Sequence, residues 1–354
     1  MRPARLLAAL GLAVALATLA PLAGCGSSGT EAPERPFGDP PAPAPGVRAW
    51  AAGETGVLLV TSDGGASWKR QKFFLPQRGV DVAFIDARTG WLVTDAGTVL
   101  ATTDGGAGWS VAEKVSLDVK AIAAVDADTA WLAGNAVGAA GEPGVSAVLR
   151  TTDGGTTWKR TSFGDALLAD VGFTDARHGV LVALDRIWST RDGGRTWRLR
   201  KQLPMTVLTS VAAGDSRQAW VAGWGTQDGA PLVWATGNGG ATWRRLPIDV
   251  PAPEPGVLQT RQIACAGGSR LWVTCDAGVL STTDAGKTWE LREVAGGVPQ
   301  AIAAADEAHV LATTQFKALL ATSDGGATWP VFREDGLPAQ PLVSITALIT
   351  EPTP

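Results

Sequence analysis

Apolar and polar positions alternate over short runs along most of the chain, and Asp, Gly, Ser and Thr clusters interrupt the runs. Residues 81–112 show the unit most clearly. Asp81-Val82-Ala83-Phe84-Ile85 predicts a first strand and Asp86-Ala87-Arg88-Thr89-Gly90 a turn. Trp91-Leu92-Val93-Thr94 predicts a second strand and Asp95-Ala96-Gly97 a second turn. Thr98 to Thr102 predicts a third strand, Asp104-Gly105-Gly106 a third turn, and Trp109 to Ala112 a fourth strand. Short period-two runs between turn residues are antiparallel strands. Away from the first 25 residues, no segment sustains a helical period.

The third turn recurs. Its copies centre on Asp63, Asp104, Asp153, Asp192, Asn238, Asp284 and Asp324, and each is followed five residues later by a Trp: Trp68, Trp109, Trp158, Trp197, Trp243, Trp289 and Trp329. Successive centres lie 41, 49, 39, 46, 46 and 40 residues apart. One turn motif per unit of roughly forty residues marks a repeat architecture, and four short strands per unit mark a propeller blade. An Asp opening a tight turn accepts hydrogen bonds from backbone N–H groups two or three residues on. The Gly-Gly that follows supplies positive φ, and the closing Trp packs back over the turn and begins the next strand. Asn238 keeps the acceptor oxygen, and Ala285 replaces one Gly. A ring of catalytic carboxylates is the competing reading; carboxylates spent on turn amides favour a structural role.

The two ends of the chain set the blade count. The first repeat has a second strand (Val47 to Ala52), a third (Val57 to Thr61) and a fourth (Ser67 to Lys72), but a Pro-rich segment stands where its first strand is due. Leu342-Val343-Ser344-Ile345-Thr346-Ala347-Leu348 resembles that missing strand. The expected fold is all-β: a seven-bladed β-propeller of four-stranded antiparallel blades, its ring closed by the C-terminal strand. Closure leaves no unpaired ring edge.

The motif S/T-x-D-x-G-x-x-W resembles the BNR or Asp-box repeat of sialidases, sortilin-type receptors and the photosystem II assembly/stability factor family. Enzymes and non-enzymes share the box, so it implies a fold before a function. Sialidases use a Tyr nucleophile, and this chain has no Tyr. Their Phe/Tyr-Arg-Ile-Pro signature is also absent, and their propeller is usually six-bladed. Asp-box glucanases use two propellers, and one is expected here. A single exported seven-bladed propeller resembles the photosystem II assembly/stability factor family across residues 47–348. That resemblance implies a membrane-tethered, non-catalytic scaffold that binds a protein partner, a membrane-complex subunit, through Arg side chains. An extracytoplasmic glycosidase or carbohydrate-binding protein of the sialidase-like class is the alternative.

Residues 1–25 are expected to be a lipoprotein signal peptide. Arg2 and Arg5 precede an apolar run too short for a comfortable span. Leu22-Ala23-Gly24-Cys25 resembles a bacterial lipobox, which implies that Cys25 carries the lipid anchor on the extracytoplasmic face of a bacterial membrane. Residues 26–46, rich in Pro, Gly and Ser, are expected to form an extended tether, and 47–354 the propeller.

Composition narrows the chemistry. The formal charge of -4 implies no strong attraction to nucleic acid. No cofactor is implied. Two further Cys and two distant His, His178 and His309, make no metal-ligand cluster. A register placing Cys265 opposite Val273 makes Cys265 and Cys275 diagonal neighbours, and a disulfide between them stays open. Seven Trp close boxes, and Trp50, Trp91, Trp131, Trp220 and Trp272 lie in second strands as packing between blades. Trp188, Trp224 and Trp234 stand outside that pattern.

In a four-stranded blade the first and third turns share one face. On that face Arg88, Arg177 and Arg217 occupy equivalent positions in blades two, four and five, and Arg191 and Arg195 lie in the fourth box. Residues 175–201 hold seven Lys or Arg against three Asp. A solvated surface and a binding patch for an acidic partner both fit this charge. The inner strands place Asp81, Ala121, Asp170, Ser210, Gln262, Ala301 and Ser344 around the central channel, read as the lining of a water-filled pore.

Overall fold

In the computed structural model, residues 43–71, 76–136, 145–251, 258–315, 318–332 and 342–350 are described. Cys25, the segment 1–25 and most of the expected tether lie outside them. The described residues belong to one compact unit, Phe37–Pro354.

Seven four-stranded antiparallel sheets form the blades. Blade two shows the order: Gly79–Phe84 inside, then Gly90–Thr94, Thr98–Thr102 and Ser110–Lys114 at the outer edge. Second strands are the most buried, Gly90–Thr94 along its whole length. Outer strands such as Ser110–Lys114 are largely exposed. A blade packed on both faces needs apolar side chains on both, so its central strands read as continuous apolar runs.

Leu342–Ile349 pairs antiparallel with Val47–Gly53, from Val47 opposite Ile349 to Gly53 opposite Leu342. It also touches the inner strands of blades two and seven, and the ring closes as the sequence predicts. Ala44, inside the segment expected as tether, donates its N–H to the Asp63 carbonyl at 2.9 Å and packs on the core of blade one.

Trp residues seam the blades. Trp50 stacks on Phe84 of the next blade with centroids 3.7 Å apart. Trp131 stacks on Phe173 at 3.5 Å. Each sends its indole N–H on to the box of the following blade, Trp50 to the Gly105 carbonyl and Trp131 to that of Gly193, both at 2.9 Å. Two details differ from expectation. Fourth strands begin after the box Trp, at Lys69, Ser110 and Lys159 for example, because that Trp is still rounding the turn. Cys265 pairs with Leu271 and Cys275 with Thr260. Antiparallel strands run past each other, so a step forward on one is a step back on its partner. The two Cys therefore stand four residues apart along the strands, about 13 Å, and both are free. Burial pushes their thiols up to about 12 and about 11, so neither is a nucleophile at neutral pH.

Candidate functional site

The box face is built by one hydrogen-bond pattern repeated seven times. In the third box, the Thr151 hydroxyl donates to Asp153 Oδ1 at 2.8 Å and accepts the Gly155 N–H at 2.9 Å. Asp153 Oδ1 accepts the Thr157 N–H at 2.9 Å. The carboxylate thus reaches four residues on, not two or three, because two successive positive-φ residues widen the turn (Gly154 at 67° and Gly155 at 85°). Asn238 reproduces the bond, to the Thr242 N–H at 3.0 Å. Ala285 adopts φ 60° in a Gly position. Partial burial pushes the carboxyls of Asp63, Asp192 and Asp324 up, but hydroxyl and amide donors outweigh it, and Asp192 and Asp324 sit at about 2. The Gly108 amide leads at Asp104, and the Thr157 and Thr288 hydroxyls lead in lowering Asp153 and Asp284. Carboxylates bound this way are poor bases.

First turns lie on the same face and are tied to the boxes. The Asp175 carboxylate accepts the Arg177 and His178 N–H groups at 2.7 and 2.8 Å. The Arg177 carbonyl accepts the N–H of Gly193, and that of Arg217 accepts Gly239, at 2.9 and 2.8 Å. His178 Nδ1 lies 2.8 Å from Asp175, and His309 repeats this with Asp306 at 2.9 Å.

Blades four and five gather the basic residues. Arg177 and Arg217 are exposed at adjacent first turns. Arg191 donates to the Asn238 carbonyl of blade five at 2.7 Å, and Arg195 to the Asp192 carbonyl at 3.0 Å. Arg88 stands apart on blade two, with Asp128 on the blade between, and donates to the Thr103 carbonyl at 3.3 Å. Among the described residues none of these five Arg forms an ion pair with a carboxylate. Arg191, Arg198 and Arg200 converge on a cleft of about 250 Å³ beside Asp192 and Thr196.

Sequence reasoning missed Arg150. Its Nε is buried and has no hydrogen-bond partner among the described residues. Burial and Arg195 press its guanidinium below the ordinary value, and burial with Arg198 and Arg191 does the same to Arg200. Asp192 offsets part of this at Arg150, and like charges held together favour an anionic partner. The signal lay in aligned third strands: Arg150 faces Trp131 where the other blades place Val60, Ala101, Ser189, Ala235, Ser281 and Ala321. Of the three Trp outside the pattern, Trp188 is buried against Phe163 and Trp234 lies under Lys201 Nζ at 4.3 Å; Trp224 is half-buried.

The channel ring is a set of latches. Register shifts in each inner strand leave the next amide free of the ladder. Where the preceding blade has a polar residue at the ring position, its side chain takes that amide up. Asp81 accepts the Ile122 N–H at 2.9 Å, Asp170 that of Val211 at 2.8 Å, and Gln262 that of Ile302 at 2.8 Å. Ser344 donates to Asp81 at 2.6 Å. Inside lies a cavity of about 150 Å³, where Lys120 and Arg261 join the ring. Burial pushes the Asp170 carboxyl up to about 7 against the pull of the Val211 amide, and Asp81, itself raised by burial, adds to the rise.

A folded pKa raised above the unfolded value of about 3.9 stabilises fully below that value, and the contribution is lost as pH rises through the folded one. Asp170→Ala copies Ala121 and Ala301 at the same ring position. Its loss of melting temperature is expected to be larger at pH 4 than at pH 8. Equal losses at both would place the titration outside this window.

Among the described residues no group of three His, Cys, Asp or Glu is placed to hold a metal ion.

A family model described as photosynthesis system II assembly factor YCF48 matches residues 67–167, 163–267 and 229–340. No curated protein matches the sequence. Among solved structures, YCF48 bound to D1 peptide is 19% identical with a TM-score of 0.55, covering 82% of this chain and 87% of that one. YCF48 from Cyanidioschyzon merolae is 21% identical with a TM-score of 0.54, covering 76% and 88%. An ancestral GH74 enzyme is 15% identical with a TM-score of 0.60; 84% of this chain aligns with 47% of it. These structural likenesses are likenesses of fold.

Proposed function

The chain belongs to the photosystem II assembly factor YCF48 family, and we propose from that premise that it is a membrane-tethered, non-catalytic scaffold. Its partner is a protein, a subunit of a membrane complex, held by the basic sector of blades four and five. The observation that carries this reading is the cluster of Arg191, Arg198 and Arg200 around one cleft, with Arg150 near Arg195 and with Arg177 and Arg217 exposed at adjacent first turns, on a protein of formal charge -4. A planar guanidinium meets a carboxylate with two hydrogen bonds and also stacks on aromatic rings. One YCF48 structure holds a D1 peptide, and a peptide or protein segment is the class of ligand proposed here. The non-catalytic reading rests on the box carboxylates, which the turns hold ionised and engaged. The tether and an extracytoplasmic position rest on the lipobox-like Leu22-Ala23-Gly24-Cys25.

Reversing two charges tests the surface. Arg177→Glu with Arg195→Glu should abolish capture of the partner from solubilised membranes and leave the melting temperature near the parent's. Parent capture should slow as salt rises, since exposed charges are screened beyond about 10 Å at 0.1 M. Unchanged capture with unchanged salt dependence would make the sector a solvated face.

A further inference from the structure

Blade four carries three Arg that no other blade carries together. Arg191 stands just before the box Asp, where the other blades have Ser62, Thr103, Thr152, Gly237, Thr283 and Ser323. Arg198 opens the fourth strand, opposite Ser189 of the third. Arg200 follows at a bulge, where the register shifts and leaves it without a cross-strand partner. Blade six fills the same positions differently. Glu290 lies opposite Ser281, as Arg198 lies opposite Ser189, and Arg292 pairs with Glu290 at 2.8 Å. Blade six therefore neutralises its own charge at this place. Among the described residues, Arg191, Arg198 and Arg200 form no ion pair.

Two of the three are already held in place. Arg191 donates to the Asn238 carbonyl at 2.7 Å, and Arg200 Nε to the Ser189 hydroxyl at 2.8 Å. Both acceptors are uncharged, so each guanidinium is positioned without being neutralised, and each has further N–H groups to offer. All three line the cleft of about 250 Å³, room for a tetrahedral oxyanion and part of its hydration. Asp192 is the single carboxylate among the lining residues. Its Oδ1 accepts the Thr190 hydroxyl and the Thr196 N–H, and its Oδ2 accepts the Thr196 hydroxyl. Three positive charges against one negative leave the cleft two charges positive.

We infer that this cleft is a phosphate site, taking a terminal, doubly charged phosphate group that is either a free phosphate ion or part of a lipid headgroup. Charge and shape both select phosphate over carboxylate. A carboxylate brings one charge and two oxygens. A terminal phosphate brings close to two charges and three acceptor oxygens, enough to meet three guanidinium forks. Arg binds phosphate through paired hydrogen bonds. Two forks fixed before the ligand arrives lower the cost of ordering them. The site rests on the reading of this sector as an anion-binding surface, but it is testable with no partner present.

The first probe is inorganic phosphate, titrated calorimetrically into the full chain. Saturable binding is expected, at least about tenfold tighter than acetate at the same ionic strength. Arg191→Thr with Arg198→Gln should weaken phosphate at least about tenfold, since hydrogen bonds between charged groups are lost. Arg191→Thr copies Thr152 and Arg198 is exposed, so the melting temperature should stay near the parent's. Arg292→Gln on blade six is the control and should bind phosphate as the parent does. Flotation with phosphatidylcholine vesicles, with and without phosphatidic acid, separates the sources. Flotation that needs phosphatidic acid and that free phosphate competes away assigns the headgroup; phosphate binding without flotation assigns the free ion. No saturable phosphate binding to the parent, acetate bound as tightly, or parent-like binding by the folded double variant would overturn the site. Phosphate bound by the parent while Arg177→Glu with Arg195→Glu still captures the partner would remove the partner surface and leave the phosphate site, so the two failures are told apart.

Discussion

Deleting residues 342–354 is expected to abolish the folded monomer. The deletion removes the whole inner strand of blade one, Leu342–Ile349. Leu342, Ile345 and Ala347 are buried in the core of that blade. Burial of a Leu or Ile side chain contributes about 1.5–3 kcal/mol, so the strand's burial is a large share of a typical stability of about 5–15 kcal/mol. Polar ties go with it. Ser344 loses its 2.6 Å bond to Asp81, which leaves that buried carboxyl without its hydroxyl donor, and Thr350 loses its 2.6 Å bond to the Gly46 carbonyl. The deletion also bares the Val47–Gly53 edge, a template for pairing with other chains. Size-exclusion chromatography and a thermal melt should show aggregate and no cooperative transition. Residues 342–350 added back as a separate peptide should recover monomer. A truncated chain that melts as the parent does, as a monomer, would mean that six blades hold without the closing strand.

What was legible in the sequence was local. The boxes and their Trp repeat within eight residues, and a turn's chemistry is decided by residues that close together. Ring closure was legible because an orphan strand at one end matched a gap at the other. The shared face of Arg177, Arg191, Arg195 and Arg217 followed from strand order alone. Features that depend on register were not legible. The Cys265 and Cys275 separation turns on which residue faces which across an antiparallel pair. The channel ring read as a lining, but the bulges that free one amide per inner strand turn Asp81, Asp170 and Gln262 into latches between blades. Arg150 is an ordinary residue in its own strand. It becomes informative only when seven third strands are laid over one another, because its meaning is a departure from what the other blades place there.

The aromatic seam between blades three and four is where the other large effect is expected. Trp131 is 0% exposed. It stacks on Phe173 across the junction of blades three and four, and its N–H is held at 2.9 Å by the carbonyl of Gly193. Trp131→Ala removes the ring from both blades and should cost about 3–5 kcal/mol. Trp131→Phe keeps most of the apolar contact and loses the hydrogen bond, for a cost of about 1 kcal/mol from that bond. Trp91 is the control. It occupies the same position one blade earlier, but its buried indole nitrogen has no hydrogen-bond partner among the described residues, so Trp91→Phe should cost less than Trp131→Phe. Urea unfolding of the three variants reads these differences directly. Trp131→Ala within about 1 kcal/mol of the parent would show that the aromatic stack is not what joins the blades, since buried Trp truncations cost several times that. The junction also carries function. Gly193 lies between Arg191 and Arg195, and Trp131 pins that box in place. Loosening the seam should therefore weaken partner capture by the basic sector even at temperatures where Trp131→Ala remains folded.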